Sequence, residues 1–65
     1  MNRTEFVTAR EAASILERDY SHVRWLVRKG VLVEIEESPR KRWYRRDAVE
    51  ALAKARRELF EKAAA

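Results

Sequence analysis

One glycine and one proline punctuate a chain of 65 residues, and they limit its architecture more than any other feature. Gly30 closes a stretch with helical periodicity, "YSHVRWLVRKG". Pro39 sits in "ESPRK", between two short β-like runs. Elsewhere no residue forces the backbone out of regular structure. The expected layout is helices before Gly30, a two-stranded hairpin turning at Pro39, and a further helix after it. A chain of this length makes one small domain near the limit of independent folding. With no cysteine and one histidine, neither a disulfide nor a zinc site can staple it. The core must come from aliphatic and aromatic side chains.

Cap signals set the helix boundaries. In "TAREA", Thr8 and Glu11 have the spacing of a capping box, in which each side chain satisfies the other residue's backbone N–H. Ala12, Ile15 and Leu16 then share a face, which predicts a first helix over about 9–17. Asp19 is a good N-cap for a second helix over about 20–29, with Gly30 as its left-handed C-cap. Val31, Val33 and Ile35 alternate with Leu32, Glu34 and Glu36, a strand period broken only by the apolar Leu32. "RWYR" returns as the second strand, so the hairpin covers about 31–45 with "PRKR" at its tip. A third helix over about 48–62 opens at Asp47, with Glu50 forming a second capping-box-like pair. Val49, Leu52, Ala53, Leu59 and Phe60 form its stripe. Arg56 interrupts that stripe, so the helix is expected to pack on the domain over its first half only.

The second helix raises the functional question. At about 100° per residue, Val23, Leu26 and Val27 lie together and face the core. The opposite face carries Ser21, Arg24, Trp25 and Arg28, with Tyr20 and Lys29 at its margins. Arginine forks can read guanine in a major groove or clamp a phosphate, and serine or indole donors can bind phosphate oxygens. The plain alternative is a solvated cationic face. Trp25 needs a further reason, either contact with a partner or packing under the hairpin. The tip residues Arg40, Lys41 and Arg42 supply a second basic element. Glu34, Glu36 and Glu37 are expected to face away from any polyanion or to pair with those three cations. His22 reads as surface filler.

The formal net charge is +4 with 40% charged residues, a basic bias that favours an anionic partner. No apolar run is long enough to span a bilayer and no signal peptide is evident, so a cytoplasmic, nucleoid-associated protein is expected. No nucleophile–base pair, metal-ligand cluster or glycine-rich phosphate loop can be assembled, so neither an enzyme nor a cofactor is expected.

"TAREAASIL", "HVRWLVRKGVL" and "RWYRRDAVEAL" occur in an order and at spacings similar to the excisionase and MerR-like winged helix-turn-helix domains. The resemblance runs from Phe6 to about Leu52. It implies a mainly α fold with a small β-hairpin: helix-turn-helix, two-stranded wing, third helix. It also implies binding of double-stranded DNA, with the second helix in the major groove and the wing on the backbone or minor groove. Carried over by position, it implicates Tyr20, Ser21, Arg24, Trp25 and Arg28 on the helix and Arg40, Lys41 and Arg42 in the wing. This chain departs from the family in two places. Glu17–Arg18 stands where the turn usually has glycine and a small apolar residue, and the first wing strand is acidic.

Two function classes follow. The first is sequence-specific duplex DNA binding, either as an excisionase-like recombination directionality factor or as a small transcription regulator. The second is a protein-interaction adaptor on the same fold. RNA binding is disfavoured, because the motifs of the common RNA-binding modules are missing. Leu59 and Phe60, beyond Arg56, also suggest that the chain pairs with itself or assembles side by side.

Overall fold

A computed structural model of the chain describes residues 4–64. They form β1 (Phe6–Thr8), α1 (Ala9–Leu16), α2 (Tyr20–Arg28), β2 (Ile35–Ser38), β3 (Lys41–Arg45) and α3 (Arg46–Ala64). The result is a small α+β fold of three helices and a three-stranded antiparallel sheet in the order β1-β3-β2. None of these helices is long and apolar enough to cross a membrane.

The expected hairpin is thus two-thirds of a sheet. β1 pairs with β3, placing Val7 opposite Tyr44 and Thr8 opposite Trp43. The Arg46 N–H adds a 2.8 Å bond to the Glu5 carbonyl. This third strand covers the β3 edge that a bare hairpin would leave open.

Local chemistry explains most boundaries. The Thr8–Glu11 box forms in both directions, at 3.1 and 3.2 Å. Asp19 caps α2 by accepting from the His22 N–H at 3.2 Å. At the far end of α2, the Gly30 N–H bonds the Val27 carbonyl and the Val31 N–H bonds the Leu26 carbonyl. That pair of bonds is a Schellman closure, and Gly30 supplies the left-handed φ of 76° it requires.

The same closure overturns the strand expected from Val31 onward. Because Val31 and Leu32 both donate to Leu26, the chain is still turning where alternation predicted extension. Leu32 goes into the core at 3% exposure, while Val31 and Val33 are left 51% and 72% exposed. The residue that broke the alternation is the buried one, and β2 begins only at Ile35. The register then shifts between Glu36 and Ser38, leaving Glu37 as the extra residue of a bulge.

α3 starts two residues earlier than expected, and the second capping box does not form. β3 runs straight into the helix, so Asp47 falls in its first turn. Its carboxylate takes both prongs of the Arg45 guanidinium at 3.1–3.2 Å and the Ala48 N–H at 2.8 Å. Glu50 instead lies 3.9 Å from Arg46, one turn back.

One core holds the elements together. α1 contributes Ala12 and Leu16, α2 contributes Val23 and Leu26, the sheet contributes Val7 and Tyr44, and α3 contributes Val49 and Ala53. Burial on α3 stops at Ala53, and Leu59 and Phe60 are 69% and 75% exposed. Arg56 turns back to donate to the Leu16 carbonyl at 2.6 Å, fastening α3 to the end of α1.

The turn between α1 and α2 is closed by a second Schellman pair. Glu17 bonds Ser14 and Arg18 bonds Ala13, both at 3.1 Å. Here the left-handed residue is Glu17, at φ 55°. A residue with a Cβ is disfavoured in that region by about 1–2 kcal/mol, part of which glycine forfeits through its greater freedom when unfolded. Glu17→Gly is therefore expected to stabilise the domain by about 1 kcal/mol, raising Tm by roughly 4–8 °C. A thermal melt with no gain would show that the Glu17 side chain makes a compensating contact.

Candidate nucleic-acid interface

The exposed side of α2 divides into two flanks. On one, Trp25 is 45% exposed and lies free of the hairpin. Its ring stacks on His22, with centroids 5.7 Å apart and planes 15° from parallel. The Lys29 ammonium sits 5.9 Å from the same ring. Packing under the hairpin, one of the two readings of Trp25, is thereby removed; the other tryptophan, Trp43, is the buried one. Its indole N–H donates to the Glu37 carboxylate at the bulge. His22, expected to be surface filler, therefore makes a ring contact with Trp25.

Ser21, Trp25 and Arg28 line a shallow depression together with Asp19, His22 and Arg18, the last noted in the sequence only as part of the turn. The Ser21 hydroxyl already donates to Asp19 at 2.7 Å. That bond, and then the His22 N–H, hold the Asp19 carboxyl below its ordinary value. At the start of α2 the His22 N–H is thus taken by the cap.

On the other flank, Arg24 is exposed. Hydrogen bonding to Tyr20 one turn back, and then the charge on Glu34, push the Arg24 pKa up. Arg24 and Arg28 share a small hollow with Val27 and Glu34. Glu34 also accepts from the Tyr44 hydroxyl at 2.8 Å and lies 3.3 Å from the Nε of Arg42. Burial first, and this bond second, push the Tyr44 phenol pKa well above its ordinary value.

That geometry gives Arg42 one of the carboxylate partners expected for the hairpin tip. Arg42 is not a free cation beside Arg40 and Lys41. Strand alternation puts it on the same side of β3 as the buried Tyr44, where it pairs with Glu34. The pair is half-buried, and the Arg42 Nε–H is not aligned for a hydrogen bond. Among the described residues, the pairing foreseen for the acidic run is thus realised by Glu34, with Glu37 committed to Trp43. Arg40 and Lys41 stay exposed.

Tyr20, Pro39, Arg40 and Lys41 line one cleft, so the first turn of α2 and the tip of the β2–β3 hairpin open on the same side of the molecule. Of the eight residues singled out in the sequence, Tyr20, Arg40, Lys41 and Arg42 meet in this cleft. Ser21, Trp25 and Arg28 meet in the shallow depression, and Arg24 lies between the two groups on α2. Compared with protein-family models, curated proteins and solved structures, the chain matched none of them.

Proposed function

We propose that this chain is a winged helix-turn-helix domain that binds double-stranded DNA. α2 enters the major groove and the β2–β3 hairpin acts as the wing on the backbone or minor groove. The observation that supports this reading is the shared cleft: Tyr20, in the first turn of α2, and the cationic tip of the hairpin open on one side. Arg24 and Arg28 offer forks to base edges or phosphates, and Trp25 offers an exposed aromatic face. The role is that of an excisionase-like directionality factor in recombination or of a small transcription regulator.

Duplex binding should weaken steeply with salt, because each phosphate contact releases counterions. In fluorescence anisotropy on a random duplex pool, Arg40→Ala combined with Lys41→Ala is expected to flatten the log–log salt slope by about two, with similar loss on every sequence. An unchanged slope would remove the hairpin from the interface. Absence of any shift of the pool at low salt would favour the second reading, a protein-interaction adaptor. The exposed Leu59 and Phe60 supply the observation behind that reading.

A further inference from the structure

The cleft beside the hairpin tip contains a cation that nothing in the sequence marked as functional. It has a volume of about 650 Å³, and its walls are the first turn of α1, Tyr20 and the tip of the hairpin. Arg10 on α1 lines it together with Arg40, Lys41 and Arg42 of the hairpin tip. No carboxylate lines it among the described residues. Arg10, Arg40 and Lys41 have no ion pair among those residues, whereas Arg42, Arg45 and Arg46 do.

Arg10 also stands in an unfavourable place for a cation. It lies in the first turn of α1, where the helix dipole presents positive charge and favours an anionic side chain. Three unpaired cations converging on an acid-free cleft repel one another until an anion arrives. The cleft adjoins Tyr20, the first residue of α2, so a strand lying along α2 continues into it.

We propose that this cleft seats a backbone phosphodiester of the duplex that α2 engages, with Arg10 closing on it opposite Arg40 and Lys41; this rests on the duplex-binding reading above. The three side chains grip one short stretch of a single strand from two sides, so α1 sets the register in which α2 enters the groove. A phosphate contact positions the protein without reading sequence.

The test measures anisotropy on fluorescent duplexes across a salt series for the wild type, Arg10→Ala and Arg10→Lys. Circular dichroism melts accompany each variant, and since Arg10 is exposed, folding should be preserved. Arg10→Ala is expected to weaken binding about five- to tenfold on every sequence and to flatten the salt slope by about one, as for one lost phosphate contact. Arg10→Lys should restore most of both. Wild-type affinity and slope in Arg10→Ala, in the presence of tight wild-type binding, would overturn the phosphate clamp and leave the duplex reading standing. Loss confined to one base position would overturn it too, by making Arg10 a base reader. Failure of the wild type itself to bind any duplex at low salt would remove both.

Discussion

Tyr44→Ala is expected to leave the chain largely unfolded at room temperature. Tyr44 is the largest fully buried side chain of the core and sits on the central strand, opposite Val7. Emptying such a site costs about 3–5 kcal/mol in transfer free energy and residual cavity. A domain of this size rarely has more than about 3–5 kcal/mol in total. The two figures are comparable, so the folded state loses its margin. Circular dichroism and a urea titration check it: a cooperative transition persisting at an unchanged midpoint would mean that the core lies elsewhere.

Tyr44→Phe separates the ring from the hydroxyl. It keeps the packing and removes the donor to Glu34, a bond to a charged acceptor worth about 1.5–3 kcal/mol. The effect depends on pH in a definite direction. Because burial and the Glu34 bond raise the phenol pKa in the folded state, the hydroxyl's contribution is fully present below the ordinary value near 10. Above pH 10 the unfolded chain releases its proton first and the contribution drains away. The stability gap between wild type and Tyr44→Phe should therefore be constant through neutral pH and shrink above 10. Taking the difference between the two proteins cancels every group common to both. A gap that widened above pH 10 would show that Tyr44 is ionised in the fold.

Residues whose partners lie close along the chain were legible in the sequence. Thr8 with Glu11, Asp19 with His22, and Gly30 beyond the last turn of α2 each form the local bond their spacing implies. What escaped depends on partners far away in sequence. Phe6–Thr8 is too short to show a period, and its extended form is set by β3 at the other side of the domain. Leu32 looked like an interruption because alternation was counted from Val31, inside a turn that the Leu26 carbonyl was still closing. Asp47 had the spacing of a cap, but Arg45 on the adjoining strand competed for its carboxylate. Arg42 was grouped with Arg40 and Lys41 by charge, although its place two residues before Tyr44 already put it on the inward side of a strand. For Arg10 the only sequence signal was a cation in a first helical turn. Its meaning depended on the fold bringing the hairpin tip alongside.

Arg24→Ala is the variant with the largest expected effect on binding, and its companion Arg24→Lys decides what Arg24 does. Arg24 is exposed, so truncation should change stability by less than about 0.5 kcal/mol and leave the fold available for a binding assay. Affinity for a selected cognate duplex should fall by about 1–3 kcal/mol, roughly 5- to 150-fold. Two geometries could produce that loss. In one, the guanidinium bonds bidentately to a guanine edge; lysine then cannot substitute, because it lacks the planar pair of donors. In the other it grips a phosphate, and lysine restores most of the affinity. The place of Arg24 in the middle of the exposed face of α2 favours the first, since a helix in the major groove turns that part of its face to the base edges. Arg24→Lys should therefore bind almost as poorly as Arg24→Ala, and selection from random duplexes should lose preference at one base pair while keeping the rest. Full recovery by lysine, with uniform affinity across the selected pool, would reassign Arg24 to the backbone and leave sequence reading to Arg28 and Trp25.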